Sequence, residues 1–64
     1  MIFKMTEDDY IYNEDNGIGF CTECRAERDG YTEGDAENYD CTECGKNSVS
    51  GMLTLLMNGH IDLI

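Results

Sequence analysis

Short apolar clusters alternate with polar and acidic runs along the chain. The first cluster is "YIYNEDNGIGF" at residues 10–20. Its aromatic and β-branched residues flank a polar centre that closes on Asn16-Gly17, a dipeptide favoured in tight hairpin turns. The pattern predicts a β-hairpin, with Ile18 and Phe20 on one strand face and Cys21 immediately after it. Upstream, "TEDD" at 6–9 has the form of a helix capping box. The residues that follow it are strand formers, so a strand is expected there instead.

The sixteen residues "RAERDGYTEGDAENYD" at 25–40 carry two turn signals, Asp29-Gly30 and Gly34-Asp35. A strand, a loop and a returning strand are expected, and the acidic spacing does not match a calcium-binding EF-hand loop. The tail "SGMLTLLMNG" at 50–59 has helix punctuation, with Ser50 as N-cap and Gly59 at the position that stops a helix. Met52, Leu55, Leu56 and Gly59 form one stripe, and Leu53, Leu56, Met57 and His60 an overlapping one. One face should pack on the ribbon while the apolar surplus offers an interface. "IDLI" then alternates and predicts a short closing strand or tail at 60–64. The whole reads as one domain over 1–64: a ribbon with its hairpin at 10–49, a helix at 50–59 and the closing segment.

The four cysteines change this picture most. They occur as Cys21-x2-Cys24 and Cys41-x2-Cys44, sixteen residues apart, in two copies of "CTEC". This is four-cysteine zinc spacing. A C-x-x-C turn puts two thiolates on one side of a knuckle. Two facing knuckles then supply the tetrahedron of sulfurs, each about 2.3 Å from the metal, that Zn²⁺ takes. One structural zinc ion is therefore expected on Cys21, Cys24, Cys41 and Cys44. With two Phe and no Trp in 64 residues, the core needs such a staple. Structural zinc contributes about 10–16 kcal/mol of apparent binding energy in small metal-dependent folds. The metal-free chain is therefore expected to be largely unfolded.

Residues beside the sulfurs have expected roles. The position after the second cysteine of a knuckle often needs positive φ, which Gly45 suits and Arg25 suits less well. Arg25, Arg28 and Lys46 are three of the four basic residues, and they are expected to offset thiolate charge. Four thiolates close the coordination shell, and the single His60 is expected at the surface or as a cap. No nucleophile–base pair and no phosphate loop is present, so no enzymatic activity is expected.

Charge narrows the partners. Fourteen acidic residues against four basic ones give a net charge of −10, and thirteen of the fourteen lie between positions 7 and 43. A four-thiolate zinc centre brings the total to about −12. Such a chain is repelled by nucleic-acid phosphates and by anionic membranes. It is attracted to basic protein surfaces, unless the charge serves solubility alone. Glu33, Asp35, Glu37 and Asp40 are the candidate acidic contacts. Leu53, Leu56 and Met57 are the candidate apolar ones, which also make a homodimer through the helix as natural as a monomer. Nothing reads as a secretion signal or a membrane span, and paired cysteines suit a reducing compartment, so a cytoplasmic protein is expected.

With these residues in view, "CTEC", "CTECG" and "CGKNSVSGMLTLLMNG" at 44–59 resemble a family of small zinc-ribbon proteins commonly encoded by bacteriophages. Cys44, Gly45, Val49, Gly51, Leu55, Leu56 and Gly59 carry its C-G-x3-V-x-G-x3-L-L-x2-G pattern. Relatives often have an aromatic residue at the place of Ser50 and acidic residues near Leu53 and Thr54, so this tail is more apolar than the pattern. The resemblance implies a small metal-stapled β-rich zinc ribbon with a short C-terminal helix, in a phage accessory protein acting in host cytoplasm. A host nucleic-acid-handling enzyme is then a natural target, with the acidic face imitating nucleic acid. Two alternatives stay open: a nucleic-acid-binding zinc ribbon, which the charge opposes, and an iron electron carrier. "YDCTECG" at 39–45 is similar to rubredoxin, but the pairs are close together and Pro and Trp are lacking.

Overall fold

The computed structural model describes residues 2–28 and 30–64, so the Asp29 half of the Asp29-Gly30 turn lies outside the described residues. The elements run β1 (Phe3–Met5), α1 (Glu7–Asp15), β2 (Gly19–Cys21), β3 (Val49–Gly51), α2 (Met52–Met57) and β4 (Ile61–Leu63). Of the expected elements, the strand leading into Cys21, the C-terminal helix and the closing strand are present, and a second helix is added near the start.

That helix, α1, replaces most of the hairpin expected over 10–20. Thr6 settles the choice: its Oγ1 accepts from the Asp9 amide at 3.1 Å, and Glu7, Asp8 and Asp9 sit at the positive end of the helix dipole. The Asn16-Gly17 pair is a helix stop. Gly17 has φ of 65°, its N–H donates to the Glu14 carbonyl at 3.3 Å, and Ile18 N–H donates to Asn13 at 2.9 Å. These are the two bonds of a Schellman cap. The pair Asn58-Gly59 ends α2 in the same way, with Gly59 donating to Leu56 at 3.2 Å and His60 to Leu55 at 2.8 Å. At its other end the N-cap position of α2 is Gly51, not Ser50, and no side chain caps it; Ser50 pairs with Phe20 one residue earlier in β3.

Two small sheets frame the molecule. β1 pairs parallel with β4, in the register Phe3↔Ile61 and Met5↔Leu63. β2 pairs antiparallel with β3, in the register Gly19↔Gly51 and Cys21↔Val49. The expected strand–loop–strand at 25–40 is reduced to isolated bridges, Phe20↔Glu27 and Tyr39↔Val49. The rest of that segment is irregular because it lies flat on the β2–β3 pair. Gly51 N–H donates to Ala36 at 3.1 Å, and Thr32 N–H donates to Gly17 at 2.7 Å. Gly51 has to be glycine: a Cβ there would collide with the Glu33 and Gly34 carbonyl oxygens.

The apolar core is Phe3, Met5, Met52, Leu55 and Ile61, flanked by Tyr10, Phe20 and Leu56. Phe3 and Phe20 stack with centroids 5.1 Å apart. A second buried cluster consists of Cys21, Cys41 and Val49. The second cluster contains two of the four cysteines.

Candidate metal centre

The two copies of "CTEC" fold into two knuckles of matching backbone. In the first, Cys21 N–H donates to Ala26 at 2.9 Å and Arg25 N–H to Cys21 at 3.0 Å. In the second, Cys41 N–H donates to Lys46 at 2.8 Å and Gly45 N–H to Cys41 at 3.0 Å. In each, the amide of the second cysteine donates to the sulfur of the first, at 3.4 Å for Cys24 on Cys21 and 3.5 Å for Cys44 on Cys41. Gly45 turns at φ 76° and Arg25 at φ 66°, so the arginine does adopt the left-handed conformation. Such a residue without glycine's freedom is strained by roughly 1–2 kcal/mol.

Pairing of β2 with β3 sets the knuckles face to face. All four Sγ atoms lie within 4.8 Å of one another. The shortest separations cross between the knuckles: Cys24–Cys41 at 3.5 Å and Cys21–Cys44 at 3.7 Å. A tetrahedron with arms of about 2.3 Å has edges of about 3.8 Å. Disulfide bonding would require about 2.05 Å, and all four cysteines are free. The four cysteines are thus positioned to bind a metal ion. Cys21 and Cys41 are buried, while Cys24 and Cys44 face solvent.

The surroundings treat the two members of each pair differently. Burial pushes the Cys21 thiol up, but Ser48 Oγ at 3.5 Å and the amides of Cys24 and Glu23 outweigh it and hold Cys21 at about 6. At Cys41 the Cys44 amide lowers the thiol, against partial desolvation and with help from the Glu43 amide. At Cys24 the Ala26 amide pulls downward, yet desolvation and the neighbouring thiols push it up to about 12. Cys44 is raised similarly, over the downward pull of the Lys46 amide. The first cysteine of each pair is thus the more acidic of the two. Four adjacent thiolates need a cation, and a metal would displace the remaining protons.

The basic residues do other work than expected. Arg25 reaches away from the sulfurs: Nη2 donates to the Ile2 carbonyl at 3.0 Å, and the guanidinium lies 4.8 Å above the Phe3 ring. Arg28 pairs with Asp40 at 3.0 Å and lies 5.0 Å from the centre of the Tyr39 ring. These contacts of the two arginines are made to groups other than the thiolates they are expected to offset. Lys46 contributes to its knuckle through the backbone carbonyl. His60 is not part of the cysteine cluster.

The candidate contact residues divide. Glu33 accepts from the Tyr39 hydroxyl and Asp40 is bound by Arg28, whereas Asp35 and Glu37 are exposed. Leu56 packs against the core, while Leu53 and Met57 face outward. Sequence reasoning missed the exposed Ile11 and Tyr12 of α1, although Thr6 and its capping pattern could have revealed that helix. Among the described residues no helix is long and apolar enough to cross a membrane. Comparison with protein-family models, with curated proteins and with solved structures finds no match to this chain.

Proposed function

We propose that the chain is a zinc ribbon holding one structural Zn²⁺ on Cys21, Cys24, Cys41 and Cys44, and that it is a non-enzymatic module for binding another protein. The observation that carries the metal reading is the set of four Sγ atoms within 4.8 Å of one another, at the edge lengths of a tetrahedral thiolate site. Four sulfurs fill the preferred shell of zinc and leave no position for substrate, which favours a structural role. The net charge of −10 favours a partner with a basic surface over nucleic acid or an anionic membrane. The resemblance to phage-encoded ribbons makes a host enzyme that handles nucleic acid the target we favour, engaged in the cytoplasm by imitation of its ligand's charge.

Elemental analysis with visible absorption tests the metal. The expected result is one zinc per chain and a colourless protein. A red, iron-loaded protein as the native form would instead establish the electron-carrier alternative, since iron accepts the same four thiolates. Salt-dependent binding to basic proteins tests the second half. Retention on DNA at low salt would contradict it.

A further inference from the structure

Helix α1 has nine residues and buries none of them. A helix this short is marginal on its own, and its inner side holds it to the body. Tyr10 packs against the core, and the Asn13 amide reaches Met5 Sδ at 3.8 Å. At 3.6 residues per turn, Tyr10 and Asn13 mark the inward side, and Asp8, Ile11, Tyr12 and Asp15 project from the opposite side. Exposure agrees with this geometry: Ile11 is 48% exposed and Tyr12 63%. An outward face that sets an aliphatic and an aromatic side chain among carboxylates is unlike a merely solvated helix.

The acidic residues at the end of the helix are not placed for its stability, unlike Asp8 in its first turn. Glu14 and Asp15 occupy the last turn, which has no basic residue, so they sit at the negative end of the dipole. Among the described residues no cation pairs with the carboxylates of Glu7, Asp8 or Asp15. Glu33 and Asp40 in the loop are, by contrast, engaged internally.

Resting on the interaction-module reading above, we infer that the outward face of α1 is the docking element, with Ile11 and Tyr12 as anchors and Asp8 and Asp15 as the charged rim. Its occupant is a protein groove lined by Lys and Arg with an apolar floor. Charge complementarity selects that occupant: a second copy brings another net −10, and phosphate surfaces carry the same sign. Aromatic and aliphatic anchors inside a charged rim are how such interfaces concentrate affinity.

The test is a titration of isotope-labelled, metal-loaded protein with a synthetic amphipathic peptide of Lys, Arg and Leu, followed by amide NMR at low and high salt. Binding should weaken with salt and shift the amides of residues 7–15. The double variant Ile11→Ser with Tyr12→Ser should weaken binding about tenfold without lowering the thermal midpoint. Asp15→Lys should weaken binding while raising that midpoint, because a cation suits the helix end, and a purely structural role would not produce that opposition. Shifts confined to residues 30–40 or to α2, unchanged by the anchor variant, would overturn this inference and leave the interaction module standing. No salt-sensitive binding of the peptide at all would overturn both.

Discussion

The two knuckles share a tetrapeptide and a backbone but not a setting. Gly45 turns the second with nothing within 4 Å of where a Cβ would stand. Arg25 makes the same left-handed turn in the first, and its side chain ties the knuckle to Ile2 and to the ring of Phe3. The second knuckle takes the low-strain solution. The first accepts strain and offsets it with a clip between the metal centre and the apolar core, where Phe3 stacks on Phe20 just before Cys21. Half-sites equivalent toward a metal can thus differ in how they join the rest of the fold.

The largest test of this comparison asks whether the halves are equal toward the metal. Cys21→Ser and Cys41→Ser should each abolish stoichiometric zinc binding and the folded state, as read by metal content and amide dispersion. If one variant stays folded with metal bound, the halves are unequal. Acid should act on both together. Bound metal requires thiolates, so the folded-state pKa values are depressed and their stabilisation is lost as pH falls. Zinc release and unfolding should therefore occur together as pH falls, monitored by a zinc indicator and circular dichroism.

Next comes the joint of β3 with the loop. Gly51→Ala should destabilise by about 3 kcal/mol in denaturant titration, because the backbone carbonyls of Glu33 and Gly34 have to move. Gly45→Ala meets no atom, so it should cost only about 1 kcal/mol of conformational strain. Arg25→Ala keeps the strain and removes the clip, costing about 1–2 kcal/mol. Arg25→Gly removes both and should lie nearer to the parent. If Arg25→Gly and Arg25→Ala prove equal, strain at this position is negligible.

The smallest effect is expected beneath the sheet joint. Thr32 is 1% exposed, and among the described residues its hydroxyl has no hydrogen-bond partner. Thr32→Val should stabilise by up to about 1 kcal/mol, and a loss would reveal a partner for that hydroxyl.

The cysteine cluster was legible in the sequence because ligand spacing is a local signal that survives irregular backbone between the pairs. The end of α2 was legible too, since Gly59 stands where a left-handed residue must. The same Asn-Gly signal at 16–17 was misread, because that dipeptide serves a hairpin turn and a Schellman cap equally well. Only the Thr6 cap distinguished them, and the aromatic and β-branched residues of 10–12 argued the other way. The β1–β4 pair was half legible. Alternation marked residues 61–63, but their partner Phe3–Met5 lies at the other end of the chain, and three residues show no usable period. Arg25 looked misplaced because its compensation is tertiary.

Chelation tests the central claim most directly. Purified zinc-loaded protein is followed by amide NMR as a strong chelator removes the metal under reducing conditions, and zinc is then restored. One zinc per chain should be released, the dispersed spectrum should collapse, and it should return on adding a single equivalent. A spectrum that stays dispersed after complete metal removal would contradict the account, since the apolar core alone would then hold the fold.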